Sequence, residues 1–281
     1  MKKTIVAAAV AAVFAAPAMA DVKLSGAIFY ETGVTGANDS SVSEVYTDIV
    51  FSGSEDLGNG MKAGFKIVQT QDNAEAVNAD TAEGTRTVSL SGDFGSIMGG
   101  SFESYTEGNV MSMAASEGVH TVSIEPNAGN ATMATGHRYT SPSFQGVKVI
   151  AEAFNDGVST VGIEYSGNGI TAKYAQEASV LDVDSFAIQY KMGDLTVKAV
   201  NTQANDGDEI TFVGGTYSMG ANTFGLGLIT DAKGNDASTD GDMTISVAHA
   251  LSKSTTVQLA VKDDDSAATD DKTILSLVHK F

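Results

Sequence analysis

Along almost the whole chain, apolar and polar side chains alternate at period two, in stretches of about ten residues closed by Gly, Asn, Asp or Ser. Successive side chains of a β-strand point to opposite faces, so the pattern predicts strands with one apolar and one polar face. Phe186, Ile188 and Tyr190 alternate with Ser185, Ala187, Gln189 and Lys191, and Val257, Leu259 and Val261 with Thr256, Gln258, Ala260 and Lys262. Met61, Ala63, Phe65 and Ile67 alternate with Lys62, Gly64, Lys66 and Val68. A secreted sandwich or β-helix is the competing architecture, but no second apolar face is present to make a sandwich core. A sheet closed on itself, with lipid outside and water inside, satisfies every strand.

Sixteen stretches follow the pattern: 22–34, 45–53, 61–71, 85–91, 96–103, 135–141, 147–155, 159–166, 170–177, 183–191, 195–203, 209–218, 223–230, 243–251, 254–262 and 272–281. Their connections alternate in length. Gly92–Gly95, Ser166–Gly169, Met192–Asp194, Met219–Asn222 and Leu251–Lys253 are tight, whereas 35–44, 72–84, 104–134, 231–242 and 263–271 are longer and acidic. Short turns on one rim and longer loops on the other are how outer-membrane barrels are built. An even strand number lets the first and last strands pair antiparallel, which removes the free edges. The expected fold is therefore all-β, a transmembrane antiparallel β-barrel of 16 strands.

The start of the chain bears on the compartment. Lys2 and Lys3 precede an apolar run from Thr4 to Ala16, and Ala18, Met19 and Ala20 form a small-x-small pattern. That predicts a signal peptide over 1–20 and a single barrel domain over 21–281, a retained anchor being the alternative. Without Lys2 and Lys3, 14 basic residues stand against 35 acidic ones, a formal charge of −21. Such a charge argues against nucleic acid as a partner. Cysteine is absent, so disulfides cannot hold the fold together.

Five segments resemble the Gram-negative trimeric porin family. They are VKLSGAIFYETGV from Val22, SEDLGNGMKAGFKIVQ at 54–69, VSLSGDFGSIMGGSF at 88–102, RYTSPSFQG at 138–146 and the terminal LVHKF. The resemblance implies a homotrimeric pore for small hydrophilic solutes, set among outer-membrane lipids and lipopolysaccharide. It also implies a third loop folded into the lumen, here 104–134, and a terminal aromatic, Phe281, read by the barrel-insertion machinery. Family members set a cluster of arginines opposite that loop. This sequence departs from the pattern, with Met98 and Ser101 at two of the basic positions.

A pore selects by charge and width at its narrowest ring. Residues 87–137 hold no Lys or Arg but do hold Glu103, Glu107, Glu117 and Glu125, which predicts an acidic, cation-favouring constriction. Solvation of the loop is the other reading of these acids. Arg138 alternates with His137 and Tyr139 and so is expected in the lumen. Arg86 shares parity with Val88 and Leu90, which leaves the lumen and the outer rim both open. Lys66, Lys173 and Lys198 lie near mid-strand on polar faces, where a lumen location avoids the cost of charge in lipid, about 2–4 kcal/mol. Phe29, Tyr46, Phe51, Tyr165, Tyr174, Tyr190, Tyr217 and Phe281, near strand ends, suggest aromatic girdles.

Catalytic constellations are not legible. The four histidines share no metal-ligand spacing, and Gly99-Gly100-Ser101 lacks the context of a nucleophile elbow. Neither a cofactor nor a metal is expected, and the chain reads as a non-enzyme. The leading expectation is a general-diffusion pore with weak cation preference. A substrate-specific channel and a closed structural or adhesive barrel are the rivals.

Overall fold

The computed structural model describes residues 21–35, 40–72, 84–114, 133–234, 240–263 and 271–281. Within them sixteen strands form one closed antiparallel barrel in which every strand pairs with its sequence neighbours and the last pairs with the first. The first quarter is β1 (Asp21–Thr35), β2 (Ser40–Gly58), β3 (Met61–Asp72) and β4 (Arg86–Gly92). Next come β5 (Gly95–Phe102), β6 (Ala134–Thr140), β7 (Val147–Phe154) and β8 (Ser159–Gly167). The second half is β9 (Ile170–Ala178), β10 (Val183–Met192), β11 (Leu195–Ala204), β12 (Glu209–Met219), β13 (Asn222–Lys233), β14 (Met243–Ala250), β15 (Thr255–Asp263) and β16 (Lys272–Lys280). The expected signal peptide, 1–20, lies outside the described residues.

Parity sorts the side chains as the sequence predicts. Phe186, Ile188 and Tyr190 of β10 are exposed on the outer surface, while Ser185 and Ala187 between them are buried on the inner one. Sixteen strands about 4.8 Å apart and tilted by about 40° close at a backbone radius of roughly 16 Å. Side chains alone cannot fill so wide a ring, so its interior belongs to water or to inserted chain.

Closure of the ring is sealed by the last residue. Gly26 and Phe281 exchange backbone hydrogen bonds, each 3.0 Å. The Phe281 ring lies over Gly26, where an added Cβ would stand 2.7 Å from it, so only glycine admits the ring there.

Three expectations need correction. The outer connection 35–44 is shorter than expected, because β1 and β2 stay paired up to Thr35 and Ser40. The long connection 231–242 likewise begins later, because Asp231 and Lys233 pair with Thr211 and Glu209 of β12. In both places polar side chains read as loop while the backbone ladder continues. Finally, Phe29 and Tyr46 are not part of an outer girdle. They pair across β1 and β2 on the inner face, ring centroids 5.6 Å apart, in the column of Glu31 and Asp48. The Tyr46 hydroxyl donates to Thr70 Oγ1 at 3.5 Å and Thr70 donates to Asp48 at 2.6 Å. Phe51, Tyr174, Tyr190, Tyr217 and Phe281 do face outward.

Candidate functional site

The chain leaving β5 at Phe102 turns inward and docks on the barrel wall. Its root is held from β6 and β7, where Arg138 and Glu152 are register partners on the inner face. The Arg138 guanidinium pairs through Nε with Glu152 Oε1. Its Nη2 donates to the Glu103 carbonyl at 2.9 Å, and its Cζ lies 4.9 Å above the Phe102 ring. The other Glu152 oxygen accepts the Tyr105 backbone N–H at 2.8 Å. The Glu152 side chain has 0% exposure, a position tolerable for a carboxylate only because both oxygens are satisfied.

Tyr105 is the anchor that follows. Its ring lies over Gly162 of β8, between Ile150 of β7 and Ala175 of β9 in the same pairing row. A Cβ at position 162 would come within 2.6 Å of the ring, so the missing side chain is the ring's seat. The Tyr105 hydroxyl donates to Glu164 Oε2 at 3.2 Å. Burial, reinforced by Glu164, pushes that hydroxyl well above the ordinary tyrosine range, so it remains a donor.

Beyond Tyr105, two short helical turns, Thr106–Val110 and Met111–Ala114, continue along the wall. Val110 and Ala114 are buried in one cluster with inward residues of β9 to β13, among them Ala187, Val200, Ile210, Phe212 and Ile229. Full burial of a side chain such as Val110 contributes about 1.5–3 kcal/mol. Lys173 of β9 donates to the Asn109 carbonyl at 2.8 Å. Glu177, two inward positions beyond Lys173 on β9, is buried beside Ser104 and Thr106. The inner wall from β7 to β13 is thus a docking surface: charged at the loop root, apolar beyond.

The residues expected at a constriction separate into distinct roles. Arg138 and Lys173 do face inward, and both donate to the loop backbone. Lys66 is inward on β3, in the row of Ser52 and Thr87, and is exposed. β3 lies eight strands from β11, against which the second helical turn packs, so Lys66 stands across the ring from the docked segment. Lys198 is inward on β11, its Nζ 5.9 Å from the centre of the Phe212 ring. Glu103 is exposed and Glu107 half-buried, while Glu117 and Glu125 lie outside the described residues.

Arg86 is corrected: it is not a lumen residue. Register aligns it with Ile67 and Ser101 on the face that exposes Val88 and Leu90. For the same reason Ser101 faces outward, while Met98 faces inward opposite Arg138. Sequence reasoning missed Tyr105, Gly162 and Glu177. An aromatic just past a strand end and a glycine at mid-strand were the signals present.

A closed ring of sixteen antiparallel strands with a loop segment docked on its inner wall defines a transmembrane β-barrel of the porin type. The chain belongs to the Gram-negative porin family, whose sequence profile matches residues 7–269, and it is a protein of the bacterial outer membrane. It is similar to the major outer membrane protein P.IB of Neisseria gonorrhoeae, 34% identical over 202 residues, which cover 62% of this chain and 56% of that protein. The P.IB protein of Neisseria lactamica is 31% identical over 202 residues, covering 62% of this chain and 58% of that protein. The chain thus spans little more than half the length of these relatives. Among solved structures, a triple mutant of the Rhodopseudomonas blastica porin superposes with a TM-score of 0.75 at 14% identity, covering 92% of this chain and 100% of that one.

Proposed function

We propose that the protein is a homotrimeric pore for passive diffusion of small hydrophilic solutes and ions, with a weak preference for cations, and not an enzyme. The observation that carries this reading is the docked segment, which occupies one side of the inner wall and leaves Lys66 facing it from across the ring. Small inward residues, such as Ser25 on β1, Ser52 on β2 and Ser89 on β4, line the wall beside Lys66 and favour a water path there. The acidic character of the loop, with the Arg138 charge balanced by Glu152, favours cations over anions.

Planar-bilayer recording of the purified protein tests the reading. Conductance steps in threes support an open trimer, and an anion-selective reversal potential under a KCl gradient refutes the cation preference. Saturating uptake with current block by one solute would replace the general pore by a substrate-specific channel. A closed structural barrel is favoured by one observation: inward Glu31, Gln258, Ile274 and Ser276 are buried. A folded protein without any conductance would establish that second reading.

A further inference from the structure

The inward charges are sorted along the barrel axis as well as across it. At the end with the short turns, the periplasmic end of such barrels, register puts Lys23, Lys62, Lys191 and Lys280 on the inner face. All four are exposed. Among the described residues none of the four forms an ion pair, while Lys148 at the same end pairs with Glu164 at 3.7 Å. The acids there are inward Asp21 and Asp56, the latter opposite Lys62, with Asp93 and Asp194 on the short turns, where Lys253 also lies. At the other end the described outer turns 155–158, 179–182 and 205–208 hold Asp156, Asp182, Asp206 and Asp208 and no base. Of the outer bases, Lys233 is tied to Glu209 and Asp231 and Lys262 to Asp242, while Lys272 faces inward beside Lys262.

We propose that this pore rectifies: it passes more current when the extracellular side is positive than when it is negative. The proposal rests on the reading of the chain as an open pore. An acidic outer mouth gathers cations, and a lysine-bearing inner mouth gathers anions. A positive outer potential drives both enriched populations toward the middle of the pore, where they accumulate and raise the conductance. The opposite potential draws both out and depletes it. The Debye length is about 10 Å at 0.1 M salt, comparable with the lumen, and about 3 Å at 1 M. A mouth potential of about one kT enriches counter-ions roughly threefold, so a current ratio of about two at opposite voltages is expected in 0.1 M KCl.

The test is a current–voltage curve of the whole protein in planar bilayers, with orientation fixed chemically. The chain has no cysteine, so V180C places a unique thiol on an outer turn, at a residue 90% exposed. A bulky, membrane-impermeant thiol reagent added to one chamber then reports which side is outer. The expected result is a ratio near two in 0.1 M KCl, falling toward one in 1 M. It should also fall in the quadruple variant K23Q/K62Q/K191Q/K280Q. The salt dependence of the unaltered pore provides the test if that variant fails to fold. A symmetric curve in 0.1 M KCl, the opposite sign, or an unchanged ratio in the folded variant would overturn the proposal while leaving the pore reading intact. Absence of conductance overturns both.

Discussion

Replacing Gly162 by alanine puts one methyl group into the seat of Tyr105, and its consequence can be worked from the contacts. The new Cβ would lie 2.6 Å from Cδ1 and 2.7 Å from Cε1 of the ring, against about 3.5–4.0 Å for carbon atoms in contact. The ring must recede by roughly 1 Å, an overpacking cost of about 1–3 kcal/mol. Receding also stretches the 3.2 Å hydrogen bond to Glu164, and bonds of this charge-assisted kind contribute about 1.5–3 kcal/mol. A combined loss near 3 kcal/mol multiplies the undocked population of the loop root about a hundredfold, at tenfold per 1.4 kcal/mol. Single-channel recording reads this as excess flicker, and limited proteolysis of the folded barrel reads it as faster cleavage within 103–114. The control is a double-mutant cycle. In a Tyr105→Ala background the two closest contacts of the methyl group are gone, leaving only the Tyr174 carbonyl at 3.3 Å, and alanine is the better strand residue, so Gly162→Ala should then have a much smaller effect. Flicker and cleavage unchanged by Gly162→Ala, or an equal effect in both backgrounds, would show that Tyr105 does not hold the loop root through this seat.

The other predictions concern charge and closure. Arg138→Met leaves the Glu152 carboxylate buried without its cation, so heat-dependent unfolding of the barrel, read by gel mobility, should fall in temperature by the equivalent of about 3–5 kcal/mol. Adding Glu152→Gln should restore part of that loss. Lys66→Glu should move the reversal potential in a KCl gradient several-fold toward cations, whereas Arg86→Ala, on the outer face, should leave it unchanged. An equal shift from both would mean that facing does not decide selectivity. Phe281→Ala removes the ring over Gly26 and should slow assembly into vesicles, measured as the rate of appearance of the heat-modifiable folded band.

Much of this protein was legible before any coordinates. Period-two polarity is a local property of each strand. Parity alone therefore foretold that Ser185, Ala187 and Arg138 face inward and that Phe186, Ile188 and Tyr139 face outward. The number of strands and the alternation of short and long connections followed from the same pattern, because lipid on one side and water on the other impose it without help from distant residues. Parity also contained the placement of Phe29, and the expectation erred there by weighing side-chain chemistry above register, whereas for Arg86, open between lumen and outer rim, register decided.

What only the tertiary structure decided is how the inward charges are used. Arg138 meets Glu152 from 14 residues away and Glu103 from 35, Tyr105 takes its carboxylate from 47 away, and Lys173 finds the Asn109 carbonyl across 64. Separations of that kind are fixed by the order and stagger of strands around the ring, which no single stretch of sequence encodes. Two residues that read as a selectivity filter are therefore also fasteners for the loop. That second role, unlike their inward facing, depends on which strands the closed ring sets beside them.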